Sequence, residues 1–184
     1  VEARGEVAEL KDSINTMIRN LRLTTDQNRA EDWLKTNLAR FTGMLQGQRD
    51  LATVGRMLLS ELVPLVNAHQ GVIYQVAGEA VPHLRMLASY GNLAGNGYPA
   101  ELALGEGFLG QCAVDRRRIL VENVPRDAVA IGRGLLEALP RSMVVFPISF
   151  EGEIRAVLGL ASLREFEPDH LTFLDQLTAS VGIG

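Results

Sequence analysis

The sequence is poor in the residues that build disulfide and metal sites. Its 184 residues contain one cysteine, Cys112, and three histidines, His69, His83 and His170. A single cysteine excludes an internal disulfide and a cysteine-rich zinc site, and the histidines show no metal-ligand spacing. We therefore expect no metal and identify no cofactor. Such sparse cysteine is typical of a reducing compartment, so we expect a cytoplasmic location.

Long apolar runs are absent as well. The most apolar segment, residues 51–66, is interrupted by Arg56, Glu61 and Pro64, so it falls short of the about 18 apolar residues that a membrane span needs. The first five residues lack the apolar core of a secretion signal. Because they begin abruptly, we expect a fragment of a longer protein, with no membrane contact of its own.

Neither sign of charge dominates. The net charge of -4 gives no general attraction to nucleic acids or anionic lipids. A basic triplet at residues 116–118 is supported only by Arg126, which is too narrow for the basic face of a nucleic-acid-binding domain. We expect this triplet to form a solvent-exposed turn, and we expect no nucleic-acid partner.

The start of the chain has the apolar spacing of a coiled coil. Apolar residues recur at intervals of three and four, with polar residues between them, at Val7, Leu10, Ile14, Met17 and Leu21. A seam this narrow must be buried by another helix, and a second copy of the chain is the partner we expect. The spacing returns at Leu34, Leu38, Phe41 and Leu45. We predict a homodimer through both sets.

The two sets are out of phase. Leu34 lies thirteen positions after Leu21, one short of two heptads, and the residues between them are mostly polar. A phase shift of this kind changes the local winding of a coiled coil. We predict one continuous helical arm, and the alternative is two helices joined by a polar turn.

Short strands and helices alternate in the rest of the chain. Helices are predicted over residues 51–66, with Gly71 as terminator, over residues 108–115, and from Pro168 onward. Segments rich in β-forming residues lie between them, at residues 71–76, 84–90, 119–122, 143–150 and 153–162. The last two form a hairpin around Glu151 and Gly152.

This order of elements resembles a GAF domain. The resemblance rests on the glycine-rich segment 104–111, the strand and turn at 117–124, the hairpin segments at 141–148 and 156–160, and the helix start at 166–171. It covers residues 50–184. It implies an α+β fold with a central antiparallel sheet, flanking helices, and a small-molecule cavity between the sheet and its loops.

Residues 1–23 are similar to the second helix of a HAMP domain. The shared pattern is Gly5, then Glu9 and Leu10, then Asn15 and Met17. With a helical linker at residues 24–49 and the GAF-like domain at 50–184, the chain resembles HAMP–GAF sensor histidine kinases. The resemblance implies a parent anchored in the inner membrane and a downstream effector domain in the same chain.

Two other interpretations stay open. The GAF-like domain could serve as a ligand-free dimerisation spacer, or as the sensor of a nucleotide cyclase or a transcription activator. Strand alternation and the GAF topology together place nine side chains around the implied cavity: Tyr74, Ser89, Phe108, Cys112, Val121, Asn123, Ser142, Val144 and Phe146. This largely apolar set suits a small neutral ligand, and it equally suits an empty, well-packed core.

Three glycines spell a dinucleotide fingerprint. Gly105, Gly107 and Gly110 have its spacing, but no strong strand precedes them and Glu122 comes too early for the acidic partner. We therefore expect a backbone turn that needs positive φ or close packing.

Cys112 and His170 could indicate catalysis. Some GAF relatives attach a tetrapyrrole through cysteine and others reduce free methionine sulfoxide with several cysteines, but neither pattern surrounds Cys112. A small core thiol is expected instead. His170 lacks the motif of a kinase phosphoacceptor, and we expect it to face solvent. Nucleotide-binding boxes and the cyclic-nucleotide GAF signature are absent from these 184 residues, so we predict that they form no enzyme.

Overall fold

The computed structural model describes residues 2–45, 50–91, 98–124 and 139–181. The chain divides into two units, with the boundary between Ala39 and Arg40. This boundary lies ten residues before the predicted start of the GAF-like domain.

The first unit is helical. Helix α1 runs from Glu2 to Leu45 as one element, so its last residues belong to the second unit. The polar stretch between the two apolar sets is part of this helix, and the Thr25 hydroxyl donates a hydrogen bond to the Leu21 backbone oxygen (2.8 Å). The prediction of a continuous helix is confirmed as far as Leu45.

The second unit opens with the end of α1 and a new helix. Helix α2 spans Leu51–Leu65. Asp50 has an extended backbone, and its carboxylate accepts hydrogen bonds from the backbone N–H groups of Ala52 (3.3 Å) and Thr53 (3.1 Å). This is an N-cap, which satisfies donors that the first turn leaves unpaired. The capped start shows that α2 begins anew and does not continue α1.

Helix α2 ends earlier than the sequence predicts. Its cap is Val66, and Asn67 has the left-handed backbone (φ 56°) that closes many helices. Gly71 is already in the first strand, where a Cβ would lie 2.7 Å from a Val63 methyl group. The glycine therefore serves the close approach of α2 to the sheet and does not terminate the helix.

Six antiparallel strands form one sheet. They are β1 (Gln70–Ala77), β2 (His83–Tyr90), β3 (Glu101–Ala103), β4 (Ile119–Glu122), β5 (Ser142–Phe150) and β6 (Glu153–Ser162), in the spatial order β3-β2-β1-β6-β5-β4. Helix α3 (Gly107–Asp115) precedes β4, and α4 (Pro168–Val181) follows β6. The predicted fold class is confirmed. The three-residue strand β3 is an addition to the prediction.

Local turn chemistry explains the hairpin between β5 and β6. Glu151 (φ 52°) and Gly152 (φ 80°) both have positive φ, as a two-residue turn needs when it matches the twist of its strands. The hairpin was predicted at these two residues.

The sheet separates two cores. On one face, called here the α3 face, Val72, Tyr74, Val145 and Val157 pack with side chains of α3. On the other, called the α2 face, Gly71 approaches Leu59 and Val63 of α2.

The last turn of α1 lies inside the second unit. Phe41 is 0% exposed, and its ring meets that of Phe173 in α4 edge-to-face, with centroids 5.6 Å apart. Arg40 forms an ion pair with Glu61 of α2. These contacts explain why the boundary between the units falls before Arg40.

Candidate functional site

The α3 face contains two tyrosines, of which Tyr74 is buried and Tyr98 is half-buried. Tyr74 is 0% exposed, and its hydroxyl donates a hydrogen bond to the Pro99 backbone oxygen (2.5 Å). Tyr98 packs against the same cluster. Burial raises the pKa of Tyr74, and the neighbouring Tyr98 adds to this shift. Burial also raises the pKa of Tyr98 to about 12. Both phenols therefore stay neutral at physiological pH.

Cys112 is a core residue of the same face. Its side chain is fully buried, and its thiol donates a hydrogen bond to the Arg117 backbone oxygen (3.2 Å). Burial, and then the nearby Asp115 carboxylate, raise the pKa of Cys112 to about 12. A thiol held in its neutral form is a poor nucleophile. The predicted core position is confirmed.

The glycine-rich turn before α3 is structural. Gly105 (φ 84°) and Gly107 (φ 60°) have left-handed backbones, which glycine adopts at little cost. At Gly110 a Cβ would lie 2.6 Å from the Ala103 backbone oxygen. The predicted turn, with positive φ and close packing, is confirmed.

The predicted cavity residues do not share one face. Residues that lie opposite each other on neighbouring strands share a face of the sheet. Ser89 is opposite Val72, which is on the α3 face. Val121 is opposite Met143, which lies two positions before Val145 and therefore on the same face. Ser89 and Asn123 are exposed, and Phe108 on α3 is 38% exposed. Among the predicted residues on the α3 face, Tyr74 and Cys112 are the completely buried ones.

Three predicted cavity residues of β5 lie on the α2 face. Val144 is opposite Leu160, which in turn is opposite Gly71, and Ser142 and Phe146 share that orientation. We reassign all three to the α2 core. Alternation could not reveal this, because Val144, Val145 and Phe146 are all buried and a strand buried on both faces shows no period of two.

His170 is not solvent-facing as expected. Its side chain is 12% exposed, with Nε2 3.9 Å from a Glu167 carboxylate oxygen. It lies three and four positions before the buried Phe173 and Leu174, on the same side of α4. The packed side of this helix thus reaches its first turn.

The basic triplet is an exposed turn, as predicted. Arg116 caps α3 with a left-handed backbone and donates a hydrogen bond to the Gly152 backbone oxygen (3.1 Å). Arg118 pairs with Asp175 of α4 (2.6 Å). These contacts join the turn to the hairpin and to the last helix.

The first predicted seam is exposed on α1. Its five side chains keep between 48% and 66% of their surface: Val7, Leu10, Ile14, Met17 and Leu21. In the second set, Leu34 and Leu38 are partly buried. Phe41 has no exposed surface with which to meet a second chain, so we assign it to the core of the second unit. Leu45 lines a cavity of that unit.

This cavity, on the α2 face, was not predicted. Its volume is about 420 Å³, and its walls come from the ends of α1 and α4, from α2 and from the sheet. Gly55, a small residue on the packed side of α2, is the one sequence signal that points to it.

A model of the GAF domain family matches residues 48–184. The chain therefore belongs to the GAF domain family, whose members are sensory and regulatory modules. No curated protein sequence matches the chain. Within the described ranges, no helix combines the length and apolarity needed to cross a membrane.

Solved structures share the fold at low sequence identity. The GAF domain of an Acinetobacter phosphoenolpyruvate-protein phosphotransferase is 18% identical, with a TM-score of 0.64, over 79% of this chain and 87% of that one. Free methionine-R-sulfoxide reductase from Neisseria meningitidis, in complex with its substrate, is 19% identical (TM-score 0.64; 79% and 83%). A protein described as a GAF sensor from Burkholderia vietnamiensis is 17% identical (TM-score 0.65; 83% and 88%).

Proposed function

We propose that this chain is the sensory module of a bacterial-type two-component sensor histidine kinase. In this proposal residues 1–23 of α1 are a HAMP-like helix, two chains form a parallel dimer, and α4 leads to a kinase domain in the same chain. The module is cytoplasmic and its parent is anchored in the inner membrane. The kinase and the HAMP helix rest on the resemblance described for the sequence.

The exposed seam of α1 is the observation that carries the dimer. Five apolar side chains over residues 7–21 follow the three-and-four spacing of a two-stranded coiled coil, and each is about half exposed or more. Burying a side chain of this kind is worth about 1.5 to 3 kcal/mol. A second copy offers the same seam, so pairing in register buries all ten side chains at once.

Contact between α1 and α4 supports a mechanical relay. Phe41 near the end of α1 packs against Phe173 in α4, while Arg40 pairs with Glu61 of α2. A shift in the last turn of α1 must therefore displace or repack α4. Packed interfaces of this kind change between discrete arrangements, as a switch requires.

We propose that these residues perform no catalysis. Cys112 is buried, hydrogen-bonded and held neutral, and it is the one cysteine of the sequence. The resemblance to reductases of free methionine sulfoxide implies chemistry with several cysteines. The arrangement around Cys112 supports a core role.

Cysteine cross-linking tests the dimer. In the parallel dimer Met17 faces its own copy, so Met17→Cys should form an intermolecular disulfide under mild oxidation. Asn15→Cys, two positions away on the outer side, is the matched control and should stay largely monomeric on a non-reducing gel. Equal cross-linking of both variants, or a strict monomer in sedimentation at high concentration, would contradict the proposal.

A ligand-free dimerisation spacer is the second candidate. The α3 face favours it, because Val72, Tyr74, Cys112 and Val157 are all completely buried there and offer no exposed surface to a ligand. Thermal unfolding in the presence of fractionated metabolite extracts separates the two functions. A fraction that raises the midpoint by several degrees identifies a sensor, and no shift with any fraction favours the spacer.

A cyclase or transcription activator would leave this module unchanged, so the sequence after residue 184 discriminates among effectors.

A further inference from the structure

The cavity on the α2 face has the size of a small-molecule site. Its volume of about 420 Å³ falls within the range of about 300 to 1,000 Å³ that ligand pockets occupy. It lies across the sheet from Tyr74 and Cys112, and it includes none of the nine side chains expected to hold a ligand. It is therefore distinct from the site that the GAF resemblance implies.

Two irregularities of the backbone shape the walls. Gly55 brings α2 close to β2, since a Cβ there would lie 3.0 Å from the Ala88 Cβ. Opposite it, the pairing of β1 with β2 skips Leu87, and this bulge turns the Leu87 side chain toward α2, 3.6 Å from the same point. The cavity thus extends from this close contact toward the C-terminal ends of helices α1 and α4, at Leu45 and Val181.

Most of the lining is aliphatic or aromatic. Val54 and Leu58 face the cavity from α2, and Ile73, Ile148 and Phe150 face it from the sheet. An apolar cavity without a ligand leaves its walls without packing partners on one side. An alkyl or aryl group would restore those contacts.

Two polar side chains complete the lining, and neither is acidic. The partly buried Gln75 supplies an amide, and Arg155 supplies a positively charged guanidinium. Arg155 is paired with Glu153 at 3.5 Å, but both side chains are more than half exposed. An exposed pair of this kind is weak, so a ligand carboxylate can exchange for Glu153. The guanidinium offers two parallel N–H donors, which match a carboxylate.

We propose that this cavity binds a small monocarboxylate with an apolar body, such as a medium-chain fatty acid or an aryl acid. The apolar body occupies the space between α2 and the sheet, and the carboxylate meets Arg155 and Gln75 at the solvent side. This binding does not depend on the histidine-kinase proposal, because it uses only the second unit of the chain.

Titration calorimetry tests the site with octanoate and decanoate below their micelle concentrations and with decan-1-ol below its solubility limit. Each buried methylene should tighten binding about fourfold, so decanoate should bind about fifteenfold more tightly than octanoate. Ala156→Leu fills the cavity from the sheet and Val54→Phe fills it from α2. Each should weaken decanoate at least tenfold while circular dichroism and the thermal midpoint report a folded protein.

Arg155→Gln tests the carboxylate. It should weaken decanoate about two- to fivefold and leave decan-1-ol unchanged. Arg141→Gln is the matched control, because Arg141 also pairs with one glutamate and has nearly the same exposure (59% against 58%), yet it lies outside the cavity. It should change neither affinity.

Several outcomes would overturn the proposal. They are no binding by the wild-type chain, unchanged affinity in two folded filling variants, and equal effects of the two arginine substitutions. If the affinity for decanoate fell as the protein concentration rose, a second copy of the chain would be competing with the ligand, and the cavity would be assigned to contact between chains. None of these results depends on the α1 seam, so Met17→Cys cross-linking would still decide the dimer separately.

Discussion

Replacing Phe41 with alanine removes the ring by which the end of α1 packs against α4 within the second unit. Phe41 is 0% exposed and lies edge-to-face on Phe173, and the Arg40 guanidinium is 5.8 Å from the centroid of its ring. A buried Phe→Ala change leaves a cavity as well as losing apolar burial, and it costs about 3 to 5 kcal/mol. The midpoint of thermal unfolding should fall by roughly 10 °C or more.

Equilibrium urea denaturation gives the measurement and its controls. Phe108→Ala is the same substitution at a side chain that is 38% exposed, and it should cost about 1 to 2 kcal/mol. A double-mutant cycle with Phe173→Ala should show a coupling of about 0.5 to 1.5 kcal/mol, the value expected for an aromatic pair.

A Phe41→Ala variant as stable as wild type would indicate that Phe41 belongs to the dimer seam. A seam residue contributes to association between chains, so its loss would raise the dissociation constant of the dimer and leave the unfolding of the second unit almost unchanged. A free energy of unfolding within about 0.5 kcal/mol of wild type, together with weaker dimerisation, would refute the packing described for α1 and α4.

Four substitutions and one alkylation experiment probe local features. Gly110→Ala should destabilise the fold by about 1 to 3 kcal/mol in urea, because its Cβ would lie 2.6 Å from a β3 backbone oxygen. Gly43 lies in α1, and a Cβ added there would meet no other atom within 4 Å. Gly43→Ala should therefore stabilise the fold by about 0.5 to 1 kcal/mol. If both glycine substitutions changed the free energy of unfolding in the same direction, this reasoning would be contradicted. Asp50→Ala should lower the thermal midpoint at pH 7 more than Asp50→Asn, which keeps a capping oxygen. The Thr53 hydroxyl holds the Asp50 pKa below its usual range. The difference in thermal midpoint between wild type and Asp50→Ala should therefore shrink as pH falls below about 4. A difference that stays constant with pH would contradict the cap. Cys112 should resist iodoacetamide at pH 8 until urea unfolds the chain, because burial raises its pKa to about 12; equally rapid labelling of the folded protein would show an accessible thiolate.

Features set by local chemistry could be predicted from the sequence. The spacing of apolar residues predicted α1, α2 and α4, and the pair Glu151 and Gly152 predicted the hairpin, because both signals lie within a few neighbouring residues. The turn at Gly105 was likewise predicted from its glycines, since few other residues adopt its backbone. These segments, in this order, were also enough to indicate the GAF family.

Only the tertiary structure decided which partners the side chains meet. Heptad spacing assigned Phe41 to a dimer, but spacing cannot distinguish a second chain from Phe173 of the same chain. Ser142, Val144 and Phe146 were placed on the wrong face because both faces of β5 are buried, so burial left no alternation to read. His170 is 12% exposed because it lies on the packed side of α4, and the side of a helix that becomes covered depends on what the folded helix packs against. The cavity on the α2 face depends on the Leu87 bulge and on the ends of α1 and α4, which meet only after folding. The sequence by itself thus determined the order of every helix and strand except the short β3, and packing between distant residues determined the site.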